Sequence, residues 1–124
     1  MASRTFHRQQ SLTREVKTLH GKFAVGASGA PTLDATLSMG IESVTRDSAG
    51  VYIITLEDRY NDLLDFHPTL EAAAAEDLTF QVESETVNTT KTITFQCKAA
   101  AVETDPSNGS TIRFKIELKN TNIK

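Results

Sequence analysis

The chain has 124 residues, 39% hydrophobic and 23% charged, which suits one folded domain and excludes a disordered chain. A single cysteine, Cys97, excludes an internal disulfide, and no apolar run nears the roughly 18 residues of a membrane span. The formal net charge is −3 but uneven: residues 1–22 hold five Lys and Arg against one acid, residues 23–85 two against twelve, and residues 86–124 six against three.

Residues 1–14 (MASRTFHRQQSLTR) are polar and basic, with no sustained apolar period. They read as an extended N-terminal arm that a partner orders, with Arg4, Phe6, Arg8, Leu12 and Arg14 as its partner-binding residues. Residues 15–124 read as one β domain.

From Val16 to Gly26 the residues alternate as in a strand, with Phe23 and Val25 on one face. Gly26, Ser28, Gly29 and Pro31 then mark a loop, because glycine accepts positive φ and proline removes a ladder donor. Leu33, Ala35 and Leu37 give a short strand over 33–37. A hairpin follows: Gly40–Arg46, the turn Asp47-Ser48-Ala49-Gly50, and Val51–Leu56. The second arm, VYIITL, has no charge, which predicts a central strand.

Glu57–Pro68 (EDRYNDLLDFHP) has an irregular apolar spacing nearer a helical turn than a strand, ended by Pro68. Leu70–Asp77 (LEAAAAED) has high helix propensity but little length, so one short helix or ordered loop is predicted there. Three strands complete the chain: Leu78–Glu83, Thr92–Lys98 with Ile93, Phe95 and Cys97 inward, and Thr111–Lys119 with Ile112, Phe114, Ile116 and Leu118 inward. Asp105-Pro106-Ser107-Asn108-Gly109 supplies a tight turn before the last. The fold class is therefore mainly β, an antiparallel β-sandwich or barrel.

The residues offer little for catalysis. His7, His20 and His67 share no metal-ligand spacing, and no paired Cys/His motif for zinc is present. His67 near Asp65 is read as a surface histidine, not a base–orienter couple. Cys97, on the apolar face of a strand, is read as an inert core thiol. Glu57, Asp58, Asp62 and Asp65 surround Tyr60 but lack the spacing of a calcium loop. No phosphate-binding, dinucleotide-binding or nucleophile-elbow motif occurs. The expectation is no enzyme, no cofactor and no metal. Nucleic-acid binding is not expected either, because only the arm is basic and Phe6 is its sole aromatic. Met1 opens onto a polar stretch without a secretory apolar region, so membrane association is not expected and synthesis is placed in the cytoplasm. The Asn88-Thr89-Thr90 and Asn108-Gly109-Ser110 sequons are then chance matches. The uneven charge either pairs within the fold or makes the chain complementary to another copy or to an acidic partner surface.

Two segments resemble small structural proteins of tailed bacteriophages: Gly40–Arg46 (GIESVTR) with Gly50–Leu64 (GVYIITLEDRYNDLL), and Ala101–Thr111 (AVETDPSNGST) with the strand ending Leu118-Lys119-Asn120. The similarity spans roughly residues 20–120 and points to head decoration, or cement, proteins. It implies a β-rich fold, no enzymatic activity, location in the virion on the capsid surface, and binding to the major capsid protein and to itself, as a homotrimer rather than a homodimer. The alternatives are a tail, neck or head-fibre protein, or a module that binds carbohydrate or the host surface, with Tyr52 and Tyr60 beside Asp58, Asn61 and Asp62.

Overall fold

The structure is a computed structural model that describes residues 16–120. These form nine strands: β1 (Val16–Val25), β2 (Pro31–Leu33), β3 (Ile41–Ser48), β4 (Val51–Leu56), β5 (Asp62–Glu71), β6 (Thr79–Glu85), β7 (Thr92–Ala99), β8 (Val102–Glu103) and β9 (Thr111–Lys119). One sheet has the order β2-β1-β9-β5 and the other β3-β4-β7-β6, with β8 added beside β7. All pairings are antiparallel. The two sheets pack face to face as a sandwich, which decides between the two architectures the sequence allowed. The proposed arm, with Arg4, Phe6, Arg8, Leu12 and Arg14, lies outside the described residues.

Period-two burial explains the packing. In β9, Ile112, Phe114, Ile116 and Leu118 are buried while Arg113 and Lys115 are exposed. Ile93, Phe95 and Cys97 of β7 have no exposure, and β4 sits between β3 and β7 with Tyr52, Ile54 and Leu56 fully buried. The uncharged VYIITL run is thus a central strand, as predicted. Phe95 is the hub of an aromatic cluster that joins the sheets: its ring lies 5.1 Å from Phe66, 5.7 Å from Tyr52, 6.3 Å from Phe80 and 6.4 Å from Phe23. Rings at such distances attract beyond the area they bury.

Three local expectations are corrected. The helix over Leu70–Asp77 is not formed, and the turn-like segment before it is largely strand: β5 runs straight through Pro68 to Glu71. A β-bulge explains the error. Leu63 faces Leu118 and Asp65 faces Glu117, so Leu64 is an extra residue, and the inward Leu63 and Phe66 come to be three apart, a helical spacing. Pro68 is tolerated because β5 is an edge strand, where one side of the backbone makes no ladder bonds. Beyond Glu71 the chain is an irregular connection. Its Glu76 carboxylate accepts hydrogen bonds from Ser107 N–H (3.2 Å), Ser107 Oγ (2.7 Å) and Ser110 Oγ (3.3 Å), and these outweigh the helix preference of four alanines. The strand placed at 33–37 is instead Pro31–Leu33, because Asp34 caps a turn: its Oδ1 accepts from the N–H of Thr36 and Leu37.

One polar cluster fixes the end of the sandwich where the β3–β4 hairpin turns. Asp105 accepts Arg46 Nε at 3.0 Å, Arg46 Nη2 at 2.8 Å and the Gly50 N–H at 2.7 Å. Gly50 has φ +72°, and a side chain there would meet the Cys97 carbonyl oxygen and the Thr104 backbone at 2.6 Å. Only glycine closes this turn at that distance. The Arg46 hydrogen bonds, then that of Gly50, hold the Asp105 carboxyl below its ordinary range.

Candidate binding face

The outward side chains of β1, β9 and β5 form the most distinctive surface. Strand register sets them in rows across three strands. Lys22 stands opposite Arg113, which stands opposite Thr69; next come His20, Lys115 and His67; next Thr18, Glu117 and Asp65. Rows two residues apart lie roughly 7 Å from each other. Four cationic or imidazole-bearing rows and edges thus reduce to one basic patch of five side chains bordered by an acidic pair.

A groove of about 340 Å³ opens on the basic patch, lined by His20, Lys22, His67, Thr69, Arg113 and Lys115, with Leu37 at its rim. Leu37 is 58% exposed, an apolar side chain left in water beside the charges. Gly21 forms part of the floor, and the space a side chain would need there is filled by the Phe114 ring, 2.2 Å from where a Cβ would sit. The loop 34–40 is fastened to the rim by Ser38, whose Oγ accepts the Lys22 N–H at 3.0 Å, and by the Asp34 N–H donating to the Lys22 carbonyl at 2.9 Å.

Few of these charges are neutralised. Arg113 pairs with Glu71 at 2.6 Å, but both side chains are more than half exposed, so the pair is weak. The other ion pair among the described residues is Arg46–Asp105, at the hairpin end. Lys22 and Lys115 have no ion pair among the described residues, and like charges stand directly opposite at Lys22/Arg113 and Glu117/Asp65. Such pairs oppose sheet stability.

The other outer surface differs. Ser43, Thr55 and Thr92 share one row, and Thr45, Ile53 and Thr94 the next, so that face is polar but almost uncharged.

The residues weighed for chemistry are placed as follows. Cys97 is fully buried, and burial, with a smaller contribution from the Asp105 charge, pushes its thiol up to about 12. A thiol held there is not a thiolate at neutral pH, so it is a poor nucleophile. His67 and Asp65 stand in adjacent rows of one strand, and no hydrogen bond joins them. Tyr52 is fully buried, and its hydroxyl donates to the Gly29 carbonyl at 2.7 Å, so its ring is not offered to a sugar. Burial carries its phenol far above the ordinary range. Tyr60 packs half-buried against the core. Among the described residues no group of three or more His, Cys, Asp or Glu is placed to hold a metal ion, and no helix is long and apolar enough to cross a membrane.

Sequence reasoning missed the basic patch. His20 and Lys22 lie some ninety residues from Arg113 and Lys115, and only the β1–β9 register brings them together. The available signal was the pair of cationic outward positions on the last strand. Comparison with protein-family models, with curated proteins and with solved structures returns no match.

Proposed function

We propose that the chain is a bacteriophage head decoration protein, a homotrimer that docks on the major capsid protein and reinforces the shell. The docking part of this reading rests on one observation: a rigid sheet that presents unneutralised cationic rows beside an acidic one. Charge left unpaired on a rigid face stabilises a complex with a complementary surface and speeds encounter with it. The placement on a phage head rests on the resemblance carried by residues 40–64 and 101–120. The basic arm fits the same role, because an extended segment gains affinity by lying along a groove or adding to a sheet edge, and weak contacts repeated over a lattice sum by avidity.

The test is quantitative mass spectrometry of purified particles. A decoration protein is expected in hundreds of copies per particle. About a dozen copies would place it in the neck or tail instead, and absence from particles would end the virion reading. Deleting residues 1–14 is expected to weaken attachment while leaving the circular dichroism spectrum and melting temperature unchanged. Undiminished attachment would remove the arm from the mechanism.

A further inference from the structure

We infer that the groove on the outer face of β1, β9 and β5 is a docking site for an acidic segment of a partner protein, with carboxylates over the Lys22–Arg113 and His20–Lys115–His67 rows and an apolar side chain against Leu37. This deepens the docking reading above by naming the face and the chemistry of its occupant.

Four observations converge on it. The groove is concave, about 340 Å³, and opens on Lys22, Lys115 and Arg113. Lys22 and Lys115 lack an ion pair among the described residues, and Arg113 holds Glu71 only through a pair exposed enough to exchange. His20 and His67 flank Lys115 at the same level, and each imidazole offers an N–H donor in either charge state. Lys22 faces Arg113 directly, an arrangement that opposes stability until an anion bridges the two. A carboxylate between them converts a repulsion into two charge-assisted hydrogen bonds.

The neighbouring row selects the kind of anion. Glu117 and Asp65 lie one row away, roughly 7 Å from the Lys115 level. A nucleic-acid strand carries phosphates continuously and would be driven off by that row, and the groove lining has no exposed aromatic ring for base stacking. A protein segment avoids the conflict by changing sign along its length, acidic over the first two rows and neutral or basic over Glu117 and Asp65. The exposed Leu37 at the rim favours a segment that also carries an apolar residue.

The full chain, labelled with ¹⁵N, is titrated at low salt with the hexapeptide acetyl-EELEEL-amide, with its acetyl-QQLQQL-amide counterpart, with a single-stranded DNA 20-mer and with inorganic phosphate. The expected result is saturable binding of the acidic peptide, with amide shifts confined to β1, β5, β9 and the 34–40 loop, and none for the glutamine peptide. Lys115→Glu, an exposed outward position, is expected to weaken binding about tenfold, as is Lys22→Glu; preserved amide dispersion shows that each variant folds. Equal affinity of both variants, absence of peptide binding, tighter binding of the DNA, or a response to phosphate alone would each overturn the inference. So would shifts at the same residues that depend on protein concentration without peptide, because the face would then be occupied by a second copy. Failure is separable from that of the decoration reading. Particles that bind the chain and Lys115→Glu equally refute this site alone, whereas peptide binding without particle binding refutes the shell alone.

Discussion

At the scale of single residues, the side chain with the widest consequences is Asp105. Its two oxygens hold Arg46 of β3 and the Gly50 N–H of the hairpin turn, so one carboxylate joins the β8–β9 connection to the β3–β4 hairpin. Because these contacts lower the folded-state pKa, the carboxylate stabilises the fold fully above its unfolded value of about 3.9, and that contribution is lost as pH falls through the lower folded value. Asp105→Asn keeps an acceptor for Gly50 but loses the charge. It is expected to cost about 1–2 kcal/mol at pH 7, the range for hydrogen bonds to charged groups. The difference from the parent should shrink once pH drops below about 4. Urea midpoints from pH 7 to pH 2.5 for both proteins measure it; a gap constant with pH would show that the ion pair is not its source.

At the scale of elements, β5 shows what the residues disclosed and what they hid. Strands β4, β7 and β9 were legible because each alternates strictly and ends at a turn with Gly, Pro or Asp. β5 was not, because the bulge at Leu64 shifts the phase of burial and the following alanines favour a helix in isolation. Neither the cross-strand partner nor the Glu76 contacts that fix the connection can be read from local pattern. The binding face was hidden for the same reason: each strand contributes only one or two of its side chains, and register alone assembles them. The bulge interpretation makes its own prediction. Deleting Leu64 should restore continuous pairing, with Leu63 still opposite Leu118 and Asp65 opposite Glu117, and change stability by less than about 1 kcal/mol. Inserting one alanine after Phe66 should reverse the inward set at Pro68 and Leu70 and cost several times more. Chemical denaturation of the two variants compares them, and equal losses would contradict the assigned register.

At the scale of the whole molecule, the controlling feature is that the first and last described strands are neighbours. β1 pairs with β9 from Val16 opposite Lys119 to Ala24 opposite Thr111, and β9 is held on its other edge by β5. The charged sheet therefore cannot close until nearly the full chain has been brought together, a topology dominated by contacts distant in sequence. Domains of this kind fold in about milliseconds to seconds. β9 also supplies Ile112, Ile116 and Leu118, all without exposure, and Phe114 at 3%. Removing it exposes the inward faces of β1 and β5 together and opens the aromatic cluster at Phe23 and Phe66, which both contact Phe114. Four large core side chains at about 2–5 kcal/mol each exceed the 5–15 kcal/mol by which a typical domain is stable. A chain ending at Ser110 is therefore expected to remain unfolded, without the strand signal in circular dichroism and with collapsed amide dispersion. If it keeps a cooperative thermal transition, the second sheet folds alone and the two layers are not one cooperative unit.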